Sequence, residues 1–195
     1  SKLKGADGTF IAGTHKVSPK MDYSTLIETL QEEAEKCALL TSLGINVNLG
    51  PVCDIATDPN AFMYSRSLGE NKDITSRYTE AVVSLMGDYD LGSCLKHFPG
   101  HGSAKADSHL GLTDISRTWD GGNELLPYAE AFAAGWSGMV MTGHLFHAGL
   151  DAQHPATLSK MVVTGLLRQG LGWQGVVISD DMQMQAISDS YGLEE

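Results

Sequence analysis

The chain has 195 residues, 42% of them hydrophobic and 19% charged, with 22 glycines and a formal net charge of −11. That length buries one sizeable core without needing a second domain, and the composition excludes disordered and collagen-like chains. The acidic balance repels phosphate backbones and anionic lipid, so no nucleic acid partner is expected, and no apolar run reaches membrane-spanning length.

The three cysteines, Cys37, Cys53 and Cys94, are dispersed and odd in number, which reads as small buried hydrophobes rather than a disulfide framework. Thiols of that kind fit a reducing compartment, and a cytoplasmic location is the expectation. The opening SKLKGADGTF carries neither an initiator Met nor a signal segment. A true N-terminus further upstream is therefore expected, and with it a secreted or lipid-anchored form stays open.

In chain order, residues 22–43 place Leu26, Leu30, Ala34, Cys37 and Leu40 at helical spacing opposite an acidic face, and Gly44 should stop the helix. INVNLGPVCDI (45–55) reads as a strand, rich in β-branched residues, that leaves the sheet between Pro51 and Asp54. A helix follows the cap region at Asn71 to Asp73 and runs to about Tyr89. The alternation then repeats: GSCLKHFPG (92–100) is strand then loop, NELLPYAEAFAAG (123–135) helix, GMVMTGHL (138–145) strand, LSKMVVTGLLRQG (158–170) helix and GVVISDDM (175–182) strand. Short, nearly continuous apolar strands alternating with helices predict a parallel sheet covered by helices.

Each unusual polar cluster stands just past a strand: Asp54, then Lys96 and His97, then His144, then Asp180. Strand ends of a (β/α)8 barrel converge on one mouth, whereas a doubly wound sheet gathers its ligand groups at one switch point. The spread of clusters favours an α/β fold of the (β/α)8 TIM type. Only four strands are readable, and a complete barrel takes about 250 residues. The expected organisation is therefore one domain over residues 1–195, an incomplete barrel.

KHFPGHGSAKADSHLG (96–111) carries Lys96, His97, His101, Asp107 and His109. One reading is a metal site held by His97, His101, Asp107 and His109, although the spacing matches no H-E-x-x-H or related zinc pattern. The other pairs Asp107 with His109, the carboxylate orienting the imidazole and raising its basicity into the range of a proton shuttle. In GVVISDDM, strand alternation sends only one of Asp180 and Asp181 into the mouth. Asp180 is the better candidate nucleophile, and Asp181 reads as a cap for the following segment. Arg66, in MYSRSLGENKDI (63–74), could clamp substrate hydroxyls or an anion, as could Lys96 with His97.

KHFPGHG with DSH, NLGPVCDI, SRSLG and GVVISDDM, in that order, closely resemble the β-N-acetylglucosaminidase branch of glycoside hydrolase family 3. GHLFHAGLDAQHPATLS (143–159) resembles the family segment that precedes the nucleophile strand. The resemblance implies a (β/α)8 catalytic barrel with Asp180 as nucleophile, His109 as general acid/base and Asp107 orienting it. Against the family pattern residues 1–195 are its central part, with early and late strands missing, and little hydrolysis is expected of this piece alone. Arg66, Lys96 and His97 match the family's sugar-binding positions, and Asp54 matches an Asp of structural role at the barrel mouth. It further implies retention of configuration through a covalent glycosyl-enzyme, with no metal or organic cofactor. The implied substrate is terminal β-linked N-acetylglucosamine, as on peptidoglycan-derived muropeptides undergoing recycling. The oligomeric state is not readable.

Overall fold

A computed structural model describes residues 23–68, 70–102, 104–105, 111–189 and 191. The first helix, α1, spans Tyr23–Ser42. Its buried stripe is Thr29, Glu33, Cys37 and Leu40, at the helical spacing. Gly44 ends it at a φ of +76°, a left-handed turn that lets the Ile45 N–H reach back to the Leu40 carbonyl at 3.0 Å. The second helix, α2 (Lys72–Asp88), starts where expected because the Asn71 side chain accepts the N–H groups of Asp73 and Ile74.

Three parallel strands follow, β1 (Cys94–Phe98), β3 (Met139–Thr142) and β5 (Val176–Ser179), in the spatial order β1, β3, β5. Between β1 and β3 come the short strand β2 (Thr113–Asp114) and two helices, α3 (Gly121–Glu124) and α4 (Leu126–Ala133). After β3 come β4 (Leu145–Phe146), parallel to β2, then a 3-10 turn at Ala156–Leu158, a wide π-type helix at Met161–Gly170 and, past β5, α5 (Gln185–Ser188).

Several elements differ from expectation. The strand expected over 138–145 ends at Thr142, with Leu145–Phe146 pairing separately as β4, and the helix expected over 158–170 is a 3-10 turn followed by the π-type helix. Residues 45–55 run parallel to the free edge of β1 but touch it through two isolated bridges, Val47 to Gly92 and Val52 to Lys96, rather than as a continuous strand. Pro51 has no N–H to donate, and the Gly50 N–H turns to Asn48 O at 2.8 Å, so the ladder breaks in the middle. The single helix expected over 123–135 is split at Leu125. Pro127 sits in the first turn of α4, where its missing donor costs nothing but where it cannot continue α3.

The segment beside β1, then β1, β3 and β5, are therefore laid side by side in chain order and all parallel. A doubly wound sheet would reverse its order at a switch point. The unidirectional march is an arc of a (β/α)8-type barrel, with every C-terminal strand end at the same rim.

Helices cover the outer face. Cys53, Leu95 and Val140 meet Val83 of α2, Tyr128 and Ala131 of α4, Val162 and Leu167 of the π-type helix, and Trp173 in one buried cluster. Trp173 also stacks on Phe132 at 4.6 Å and on Trp136 at 5.1 Å between ring centroids. All three cysteines are free and buried, as expected.

The loop leaving β1 is seated on Glu124, the last residue of α3. A Cβ on Gly100 or Gly102 would collide with the Glu124 carboxyl, and both glycines have positive φ, +121° and +32°. Glu124 is only 4% exposed and its Oε2 accepts the Ile55 N–H at 3.4 Å. Burial, with Asp54 beside it, pushes this carboxyl well above the usual range; the Ile55 N–H opposes this weakly and Asp120 adds to it. A carboxyl whose pKa is raised on folding contributes full stability below its unfolded pKa and loses it as pH rises toward the folded value. Glu124→Gln removes that linkage, so in denaturant titrations the stability of the variant relative to the parent should grow with pH above about 4.5, by at most about 1.4 kcal/mol per unit. A difference independent of pH would show that Glu124 is already ionised in the fold.

Candidate active site

Asp54 lies where residues 45–55 leave the edge of β1 and is 1% exposed. A buried carboxylate must be hydrogen-bonded to be tolerated. Its Oδ1 accepts the backbone N–H of His101 at 2.8 Å and that of His97 at 3.2 Å, and its Oδ2 binds His97 Nδ1 at 2.8 Å. Burial alone would raise this carboxyl, but the facing His97 ring, its hydrogen bond and the contribution of His101 outweigh it and hold Asp54 below the usual range. The KHFPGHG turn is thereby folded around one anion.

His97 is brought to that anion by an irregularity in β1. Leu95 pairs with Val140 and Phe98 with Thr142, so β1 spends three steps where β3 spends two. The extra residue falls at Lys96 and His97, and a bulge of this kind re-aims side chains at a strand end. Because a carboxylate only accepts, His97 Nδ1 carries the proton, and Nε2 is left facing the mouth. It stands 3.8 Å from Asp180 Oδ2, beyond hydrogen-bonding distance but close enough for mutual influence or for a shared ligand.

Asp180 follows β5 directly. Its N–H donates to Thr142 O at 3.0 Å, continuing the β3 ladder one residue past the strand, and its Oδ1 accepts the Asp181 N–H at 2.9 Å. The side chain retains 22% exposure, so the carboxylate is open to the mouth. The Asp181 carboxylate points elsewhere and accepts the Gln183 N–H at 2.9 Å, closing a turn before α5 rather than capping that helix, whose N-cap residue is Met184.

Lys96 is half-buried. Burial, then the neighbouring Arg66 charge, lower its pKa, while Asp180, Cys94 and Asp54 act the other way. Arg66 lies over the Phe62 ring, 5.4 Å from its centroid, with Nη1 3.6 Å from Met63 Sδ. Lys96, Arg66, His97 and Asp180 therefore share one electrostatic neighbourhood at the rim.

Asp107 and His109 lie outside the described residues. Among the described residues no group of three or more His, Cys, Asp or Glu side chains is arranged to hold a metal ion. His97 Nδ1 is already bound by Asp54, and His101, whose ring packs 5.6 Å from that of Phe62, has neither nitrogen hydrogen-bonded. Burial lowers the pKa of His101, with Asp54 opposing. His97 and His101, the two described histidines of this cluster, are thus in different surroundings. Glu124 was not singled out by sequence, since one carboxylate at a helix start, in NELLP, looks like an ordinary first-turn residue.

A family model described as the glycosyl hydrolase family 3 N terminal domain matches residues 18–195. Beta-hexosaminidase A of Pseudoalteromonas piscicida is 39% identical over 166 residues, which cover 78% of this chain and 28% of that protein. Beta-hexosaminidase LpqI of Mycobacterium tuberculosis is 33% identical over 201 residues, covering 96% of this chain and 50% of that protein. The structure of a glycoside hydrolase family 3 beta-N-acetylglucosaminidase from Paenibacillus sp. str. FPU-7 superposes with a TM-score of 0.79 at 35% identity, over 86% of this chain and 32% of that one. The chain spans between 28% and 50% of the length of these relatives. It belongs to glycosyl hydrolase family 3, and residues 18–195 fall within the N-terminal domain of that family.

Proposed function

We propose that the protein is a retaining glycoside hydrolase that removes terminal β-linked N-acetylglucosamine, as on peptidoglycan-derived muropeptides. The observation that carries this reading is Asp180 at the C-terminal rim of a parallel barrel arc, its backbone N–H donated to Thr142 O and its carboxylate held through Oδ1 by the Asp181 N–H. Its free oxygen faces the Asp54-bound His97 ring. The hexosaminidase names of the relatives supply the sugar.

In the first step an Asp180 oxygen attacks the anomeric carbon and the glycosidic C–O bond breaks. His109, oriented by Asp107, gives its proton to the departing oxygen. In the second step water attacks the same carbon, His109 takes the water proton, and Asp180 leaves as carboxylate with configuration retained. An imidazole in place of the usual second carboxylate needs a partner to fix its tautomer and stabilise its cation, which is the work assigned to Asp107. Arg66, Lys96 and His97 hold sugar hydroxyls; His97 suits this because Asp54 fixes its ring and leaves Nε2 outward. The domain proposed for residues 1–195 is the central portion of that catalytic barrel.

A 2-fluoro or 5-fluoro glycoside should leave a covalent adduct on Asp180 when the trapped protein is mapped by peptide mass analysis; an adduct on any other residue overturns the nucleophile. Replacing the acid separates substrates by leaving group. His109→Ala should slow natural glycosides by about 100-fold or more and activated aryl glycosides much less, because a good leaving group needs little protonation. Equal losses for the two would remove His109 from the acid role.

A further inference from the structure

His144 is fully buried just past β3, and both of its ring nitrogens are engaged at 2.9 Å: Nδ1 with Thr157 Oγ1 and Nε2 with the backbone carbonyl of Asp181. A carbonyl can only accept, so Nε2 carries the proton. Nδ1 is then the acceptor, and the Thr157 hydroxyl gives it its one proton, with Gly143 O 3.0 Å from the same hydroxyl oxygen. The Asp181 carbonyl receives a second donor, the Met184 N–H at 3.0 Å, and the Asp181 N–H on the other side of that residue holds Asp180 Oδ1 at 2.9 Å.

We infer that His144 is a positioning residue for Asp180, acting through the Asp181 backbone, and that it selects Oδ2 as the oxygen that reacts. The inference rests on the reading of Asp180 as nucleophile. The residue at 181 is pinned at its carbonyl by a fully buried ring and offers its N–H to one carboxylate oxygen only. Oδ1 is thereby occupied and its lone pairs partly withdrawn, whereas Oδ2 stands 3.8 Å from His97 Nε2, beyond hydrogen-bonding distance, and keeps its nucleophilic lone pairs. Without the His144 N–H, the carbonyl keeps only Met184, the 181–182 peptide is freer to turn, and through the Asp181 φ and ψ the N–H that holds Oδ1 shifts with it, so that either oxygen can turn to the mouth. A misplacement of about 1 Å in a reacting group costs on the order of 100-fold in rate.

The test uses the intact protein and two variants. His144→Leu fills the cavity without a donor, and His144→Gln restores a side-chain N–H. With a fluoro glycoside, the rate of adduct formation on Asp180 should fall by about 100-fold in His144→Leu at nearly unchanged KM for a substrate, and His144→Gln should recover about a tenfold share of it. A purely structural histidine would lower stability without a kcat-specific loss and without rescue by Gln. Adduct formation at the parental rate in His144→Leu overturns the inference while leaving the nucleophile reading intact; an adduct on another residue in the parent overturns both. A nitrogen-15 spectrum of the parent provides a check that does not depend on the variants folding. A proton on Nε2, protected from exchange, is expected, and a bare Nε2 with the proton on Nδ1 refutes the arrangement.

Discussion

The site depends on one buried anion. Asp54 is removed from water almost entirely, a state costly for a carboxylate unless several donors surround it. It collects the N–H groups of His97 and His101 and the His97 ring, so the energetic demand of a single side chain dictates the path of the whole KHFPGHG turn. The interaction also reinforces the junction of two stretches whose pairing is broken, since Pro51 interrupts the ladder between residues 45–55 and β1. Breaking a buried pair by removing one member is typically worth about 3–5 kcal/mol. Asp54 therefore serves the fold and the site together.

Around that anion the charges are sorted rather than pooled. Asp54 is held ionised by its donors, while Glu124, with one weak donor and Asp54 for a neighbour, is held toward its neutral form. Two carboxyls whose environments drive their pKa values apart can occupy one small volume without mutual repulsion. Glu124 then packs as a nearly apolar wedge beneath Gly100 and Gly102 and supports the turn that Asp54 has shaped. On the outward side, Lys96 and Arg66 give the rim a positive bias opposite Asp180.

The strand march explains why these groups meet. Parallel strands laid in chain order bring every C-terminal end to one rim, so Asp54, His97, His144 and Asp180 are neighbours although 126 positions separate the first from the last. Each strand end then adds a local device: a broken ladder at Pro51, an extra residue in β1, a buried ring after β3 and a carboxylate tied to its own backbone after β5.

Local order was readable from the residues alone, because helix and strand periods record burial turn by turn. The stripe through Cys37 and Leu40, the Asn71 cap, the stop at Gly44 and the apolar runs that became β1, β3 and β5 all act within a few residues of themselves. Strand alternation likewise turns the two side chains apart: the Asp180 carboxylate accepts the Asp181 N–H and the Asp181 carboxylate the Gln183 N–H. Only the tertiary structure could decide that Asp54 binds the backbone and ring of a histidine 43 residues away, that Glu124 fills the hollow of two glycines, and that His144 holds the Asp181 carbonyl 37 residues on. Those contacts depend on which strands lie side by side and which loops share a rim. No periodicity carries that information; it is settled when the chain buries its polar groups and each must find a partner.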